Sequence, residues 1–269
     1  MNDAHPKIVD SVADKKFCEL ASRLGFDPNN LWLNGYVDYE WEHGRHIFNR
    51  FAIRDKLVLE FGCNIAASSI VFAALGAKVV AIDVDPDKLE MAKLNVKRYG
   101  LDQNIEIRHI PDTRKLPFDT EKFDIVSCNS VLEYVRHDHI ADVMTDLNRV
   151  TKVDGVMLIT GTSSRLWPKE IHSRKWFTNY IPRFIDKYFL KGEGLWRGLF
   201  PWQLTSRLKN FENLDLSDNG KAYLGVKEKM GASRMKIGIL KFFHRIFGMF
   251  GVTIGLMTPN ISLIIRKIR

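Results

Sequence analysis

Residues 57–86 read LVLEFGCNIAASSIVFAALGAKVVAIDVDP, and this run sets the architecture. Leu57–Phe61 is a short apolar stretch of strand type, ended by Gly62. Ser68–Leu75 has helical composition and is closed by Gly76, a residue that accepts the left-handed conformation at a helix C-terminus. Lys78–Ile82 is again a strand. Strand, helix and strand in one short run predict two parallel strands joined by a crossover helix.

The same alternation continues outward. Asp85 is placed to cap a helix with Pro86 at its first position. Leu89, Ala92, Val96 and Tyr99 share one face of that helix, and Gly100 ends it. Strands follow at Ile105–Ile110, Phe123–Cys128 and Val156–Thr160, with a helix at Ile140–Val150 before the last of these. Later come a short helix at Pro201–Lys209, a strand at Phe211–Leu216, a helical stretch at 232–250 and a strand at Ile261–Ile268. Upstream, 11–30 contains a helix ending at Gly25 with Val12, Phe17, Leu20 and Leu24 on one face. A second amphipathic stretch covers 37–52. The expected organisation is an N-terminal helical cap at 1–50 and one α/β domain at 51–269. That domain carries a substrate-side insertion at about 165–200 and a basic amphipathic helical insertion at about 220–258.

With 269 residues, 45% hydrophobic and 27% charged, the chain can bury a full core as a globular protein. Cys18, Cys63 and Cys128 are odd in number and widely spaced, which predicts reduced thiols, no zinc site and a cytoplasmic setting. The start, MNDAHPKIVD, lacks the features of a signal peptide. The net charge of +8 is unevenly spread. Residues 165–269 hold 20 basic against 7 acidic residues, while 1–164 hold 20 against 25. Trp167, Trp176, Trp196 and Trp202 lie in that basic part, where an anionic partner is expected to sit; a merely solvated basic surface is the plainer reading. The apolar run 246–257 (IFGMFGVTIGLM) is too short to span a bilayer. A buried core helix is its first reading, and a helix lying on an anionic membrane surface its second.

Four motifs carry chemistry. VLEFGCNIAASS (58–69) turns a strand into a helix, which aims backbone N–H groups and a dipole end at a ligand; Gly62 permits close approach, and Asn64 tolerates positive φ. AIDVDP (81–86) ends the second strand with Asp83, spaced from the glycine turn to accept hydrogen bonds from ribose hydroxyls. PDTRKLPF (111–118) offers Asp112 as acceptor for an adenine amino group. CNSVLEYV (128–135) puts Asn129 and Ser130 at the crevice end of the fourth strand, with Glu133 and Tyr134 aimed at the crevice or capping the next helix.

In this order and spacing the four motifs resemble the class I S-adenosylmethionine-dependent methyltransferases, within them the "type 11" small-molecule, glycan and lipid group, over about residues 56–160. The resemblance implies a Rossmann-like, seven-stranded, mostly parallel sheet with an antiparallel last strand and helices on both faces. It implies S-adenosyl-L-methionine as cofactor, with Glu60, Gly62 and Cys63 at its amino-acid end, Asp83 at the ribose, Asp112 at the adenine and Asn129 near the methionine part. Asn64 and Ala66 stand where the family commonly has glycine, and Tyr134 where it often has histidine.

After the fifth strand, TSSRLWPKEIHS (162–173) resembles a stretch of some bacterial methyltransferases of glycan and lipid biosynthesis. His172 in it is the candidate general base, since an imidazole can take a proton near neutral pH; a packing histidine is the alternative. His43 is a second candidate base, and His137 with His139 lack a third partner for a metal. The expected reaction is O-methylation, or else N-methylation, of a small-molecule or lipid-linked glycan acceptor, with peripheral contact to an anionic membrane. Competing readings are an RNA methyltransferase, an NAD-dependent oxidoreductase and a non-catalytic binding protein. The absence of a Pro-Pro-aromatic run after Asn129 argues against nucleic acid, and the missing glycines against NAD.

Overall fold

The computed structural model describes residues 4–172, 174–185 and 197–269. Trp196 and most of the second half of the 165–200 segment lie outside these residues. Seven strands form one sheet: β1 (Leu57–Phe61), β2 (Lys78–Asp83), β3 (Ile105–His109), β4 (Phe123–Asn129), β5 (Thr151–Ser163), β6 (Phe211–Asn213) and β7 (Asn260–Lys267). Their spatial order is β3-β2-β1-β4-β5-β7-β6. β1 to β5 run parallel, and β7 is antiparallel to both β5 and β6. The order reverses beside β1, so a crevice opens at the carboxyl ends of β1 and β4, where open sheets of this kind bind ligands.

Ten helices are labelled along the described chain: α1 (Ser11–Arg23), α2 (Tyr36–Tyr39), α3 (Arg45–Phe48), α4 (Ala67–Ala74), α5 (Pro86–Arg98), α6 (Ile140–Val150), α7 (Pro201–Thr205), α8 (Leu214–Ser217), α9 (Lys221–Lys229) and α10 (Arg234–Gly248). The sheet is buried on both faces. One apolar layer joins Val58, Val79 and Ile125 to Val71, Phe72 and Ala92, under α4 and α5. The other joins Leu59, Val126 and Met157 to Met144, Leu147 and Leu204, under α6 and α7. Strands buried on both faces need near-continuous apolar sequence, which is why they read so plainly from residue order.

The Asp85 cap acts where it was expected. Asp85 accepts hydrogen bonds from the Asp87 and Lys88 N–H groups at 3.0 and 3.2 Å, with Pro86 opening α5. Asp10 caps α1 through Val12 and Ala13. The buried face of α1 is Ala13, Phe17, Leu20 and Ala21, whereas Val12, expected inside, is 64% exposed. Arg98 ties α1 to α5: its buried guanidinium bonds Asp14 at 2.8 Å and Asn34 at 2.7 Å and lies over the Phe17 ring at 4.0 Å.

Several boundaries differ from the sequence reading. The stretch expected at 37–52 is α2 and α3 joined by a π-helical turn at Glu40–Gly44. β5 begins at Thr151, five residues earlier than expected, because a bulge with left-handed Asp154 lets the chain pair with Phe123 before resuming at Val156. β6 stops at Asn213 because that side chain caps α8 at the Asp215 N–H, 3.1 Å away. The run 246–257 is not one core helix. It is split at Gly251, with φ of 70°: Ile254 and Leu256 turn inward, while Met249 and Phe250 on the near side stay exposed.

Candidate active site

Everything singled out in the sequence for the cofactor sits at the carboxyl ends of β1 to β4. The turn after β1 is wound by three left-handed residues, Gly62, Asn64 and Ala66, with φ of 73°, 50° and 60°. Gly62 is obligatory for two reasons. A Cβ there would overlap Cγ2 of Val131 and lie 2.8 Å from its Cβ, in a conformation that L side chains resist. Asn64 and Ala66 adopt the left-handed geometry although neither is glycine, Ala66 as the residue that opens α4.

Asp83 locks this turn. Its Oδ2 accepts from the Asn64 N–H at 2.8 Å, and its Oδ1 accepts from Val84 and Asp85 at 2.8 and 3.1 Å. A carboxylate offers about four acceptor sites, so Asp83 retains capacity for a hydroxyl donor. Glu60 is buried on β1 and accepts from the Ser69 hydroxyl. Burial, and then the charge of Glu40, push its carboxyl up to about 8. Cys63 is also buried, its thiol directed to the Asn64 carbonyl at 3.8 Å, and burial with Glu60 and Asp83 nearby raises its pKa well above the ordinary value. It is a packing group rather than a nucleophile.

Asn129 closes the crevice from β4. Its Nδ2 donates to Glu40 at 3.1 Å and to the Ser68 hydroxyl at 3.2 Å, and its Oδ1 accepts from Thr160 at 3.2 Å. Asp112 is different. It is exposed and gripped by the Arg114 side chain at 2.7 and 2.9 Å, which holds its carboxyl well below the usual carboxylate range. An adenine amino group would have to share this carboxylate with Arg114.

Glu40 was not among the residues expected at the site. It lies in the π-helical turn, is buried, and burial raises its pKa against hydrogen bonds from Asn129, Ser68 and Tyr36. Gly44 leaves room for it, since a Cβ there would overlap the Glu40 carboxylate. The signal was present in the sequence: Glu40 falls four residues after Tyr36 and three after Val37, an acid on the buried face of an amphipathic stretch. A π turn inserts one extra residue and commonly marks a functional position.

The substrate-side candidate, His172, meets partners from β4's following turn. Its Nε2 is 3.2 Å from Glu133 Oε1, and its Nδ1 is 3.3 Å from the Tyr134 hydroxyl. Glu133 is buried, and its Oε2 has no hydrogen-bond partner among the described residues. The carboxylate therefore selects the Nε2–H tautomer, leaving Nδ1 as an acceptor. The Glu133 hydrogen bond raises the His172 pKa above its ordinary value, against the opposing effect of partial burial. Tyr134, with its pKa pushed up to about 12 chiefly by burial, stays a neutral donor. It thus returns a polar group to the crevice where histidine is more usual. Buried Glu170 accepts from the His172 backbone N–H at 3.0 Å and positions the loop.

His43 does not join this group: its ring stacks on Tyr39 at 4.5 Å and its Nδ1 bonds the Tyr39 carbonyl at 3.0 Å. His137 meets Gln203 and His139 meets Asp138. Among the described residues no three His, Cys, Asp or Glu side chains converge as a metal site.

Cavities lie at one end of the sheet and in the loop after β5. One of about 510 Å³, lined by Lys56, Asp124, Lys152 and Arg266, opens at the amino-terminal ends of the parallel strands, away from every motif residue. The other, about 480 Å³, is lined by Trp167, Lys169, Glu170, Arg174 and Trp176 beside His172.

A doubly wound sheet with this strand order, an acidic second-strand end and a tightly wound first turn is an arrangement in which α/β proteins bind nucleotide cofactors. Residues 59–159 match the family described as "Methyltransferase domain". A ubiquinone biosynthesis O-methyltransferase from Glaesserella parasuis is 33% identical over 108 residues, covering 39% of this chain and 44% of that protein. A ribosomal protein L11 methyltransferase from Thermosipho africanus is 34% identical over 105 residues, covering 39% and 36%. The chain thus spans under half the length of these curated relatives. An S-adenosylmethionine-dependent methyltransferase structure from Mesorhizobium loti shares the fold, with a TM-score of 0.54 at 15% identity over 86% of this chain and 100% of that one. Residues 59–159 thus carry a methyltransferase domain, set in a sheet with the fold of the Mesorhizobium loti enzyme.

Proposed function

We propose that this protein transfers a methyl group from S-adenosyl-L-methionine to an oxygen of a small-molecule or lipid-linked acceptor, with His172 as general base. The His172–Glu133 pair carries this reading. An alcohol or phenol becomes a good nucleophile as its proton leaves, and Nδ1 of a ring fixed by Glu133 is an acceptor for that proton. The Tyr134 hydroxyl, at 3.3 Å, stands where an acceptor hydroxyl would bind Nδ1.

The residues present fit the cofactor. Glu40 and Glu60 form a buried, acceptor-rich pair whose raised pKa values signal a missing positive charge, and an ammonium group supplies one. Asp83 has capacity left for ribose hydroxyls, and the 62–66 turn brings backbone close to a ligand. Asn129 orients Glu40, and Asp112 is the remaining acceptor for the base. When bound, S-adenosylmethionine supplies an electrophilic methyl on a sulfonium. The protein's own work is then to bind, orient and exclude water, with His172 holding the proton.

Similarity to the ubiquinone biosynthesis O-methyltransferase of Glaesserella parasuis supports an O-methylated small molecule as acceptor. The cleft of Trp167 and Trp176, with Lys169 and Arg174 at its wall, suits a flat apolar body that carries an anionic group, including a lipid-linked glycan with phosphate.

Calorimetric titration of S-adenosylmethionine into the wild-type protein and Asp83→Asn tests the cofactor half. The substitution preserves an acceptor for the Asn64 N–H but removes the charge. It should weaken binding by ~1.5–3 kcal/mol, the range for hydrogen bonds to a charged group. Unchanged affinity, or binding of NAD in place of S-adenosylmethionine, would overturn the assignment.

A further inference from the structure

α10 is amphipathic in an unusual sense: two of its faces are apolar. Successive residues step by about 100° around a helix. Ile237, Leu240, His244 and Phe247 therefore share one face, and this face packs on Tyr223, Leu224 and Ile254. His244 is its one fully buried residue, with the Ile254 N–H 3.5 Å from its Nδ1. The helix is thus held firmly to the body of the protein by its inner side.

The opposite side points to solvent and is also apolar. Met235, Ile239, Phe242, Phe243 and Ile246 continue into Met249 and Phe250 just past the helix end. Met235 is 76% exposed, Phe242 60%, Met249 78% and Phe250 75%. A contiguous row of this kind, on a helix already anchored by its other face, marks an interaction surface rather than a folding requirement. Cations border it. Arg234, Lys241 and Arg245 run along one flank, and Lys236 stands on the other. From Lys221 to Phe250 there are seven basic residues and one acidic residue, Glu228.

We propose that α10 is an in-plane anchor that seats this protein on an anionic lipid bilayer, its outer apolar row entering the boundary between headgroups and acyl chains. Charge decides the occupant. A second copy docked through the same face would bring the Arg234–Lys241–Arg245 rows of two molecules together, like against like. A bilayer containing anionic lipid satisfies the apolar row and the cations at once. The geometry demands a surface rather than a crossing: fifteen residues span about 22 Å, short of a hydrocarbon core of about 30 Å. No helix among the described residues is long and apolar enough to cross a membrane.

The test is flotation of the full chain, at low salt, with vesicles of phosphatidylcholine alone and of phosphatidylcholine mixed with phosphatidylglycerol. The wild-type protein should partition at least about tenfold more strongly onto the anionic vesicles, and raised salt should reduce that preference. Phe242→Ser with Met249→Ser removes the apolar row at exposed positions and should abolish flotation on both vesicle types. Lys241→Gln with Arg245→Gln should keep weak binding and lose the anionic preference. Absence of wild-type flotation overturns the proposal, as does equal flotation on both vesicle types. So does a concentration-dependent dimer that Phe242→Ser with Met249→Ser dissolves while vesicle binding is unchanged. These readouts do not involve methyl transfer, so their failure is separable from failure of the proposed activity.

Discussion

Gly62→Ala should destabilise the protein through two separable effects, and the structure allows each to be sized. Gly62 has φ of 73°, and an L residue in the left-handed region costs ~1–2 kcal/mol. The new methyl would also overlap Cγ2 of Val131, whose Cβ lies 2.8 Å from the built position. Val131 follows left-handed Ser130 and precedes the short helical turn at Leu132–Tyr134, so it cannot withdraw without moving the end of β4. Overpacking of this kind costs ~1–3 kcal/mol, which makes the total ~2–5 kcal/mol. Equilibrium urea unfolding followed by circular dichroism measures it, and a melting temperature lower by about 5–15 °C should accompany it. Val131→Ala isolates the second effect. Alone it should cost ~1 kcal/mol for lost burial at a half-buried site; combined with Gly62→Ala it should recover the part of the overpacking due to Cγ2, giving a coupling of ~1–2 kcal/mol, since the Cβ contact remains. Gly62→Ala within ~0.5 kcal/mol of wild type, the range of an ordinary surface substitution, would refute the reasoning. A coupling of zero would show that Val131 is not the obstructing group.

Two further outcomes concern protons. Glu60, raised to about 8 in the folded protein, keeps its proton there while the unfolded chain, at an ordinary carboxyl value, has lost it. The folded state then binds more protons between about 4.5 and about 8, so its stability falls as pH rises through that window. Glu60→Gln should flatten this slope in unfolding measured from pH 5 to 8, and an unchanged slope would assign the proton elsewhere. For methyl transfer, His172 must be neutral, and its pKa lies above the ordinary 6.5, so activity should rise with pH through a limb above that value. Glu133→Gln should move the limb to lower pH and reduce the maximal rate, while His172→Ala should cost about 10²–10⁴-fold in kcat and abolish the limb. A limb that stays in place in Glu133→Gln would remove the pair from the mechanism.

The amino-acid sequence by itself determined the sheet. Strands such as Leu57–Phe61 and Phe123–Asn129 are buried on both faces, so their apolar runs, and the glycine that ends the first, are written in consecutive residues. It also determined Asp83 and the Asp85–Pro86 cap, because a turn and a cap are local in the chain. The clustering of acids was decided by tertiary structure. Glu40 reaches Asn129 across 89 positions and His172 reaches Glu133 across 39, distances over which periodicity carries no information. The same holds for α10, whose residues promise an apolar face to any reader. Its sequence has enough apolar residues for two faces, and only the packing of Tyr223, Leu224 and Ile254 against one of them left the other turned to solvent. Burial is a property of neighbours in space, so which apolar face is covered cannot be settled by the helix that carries both.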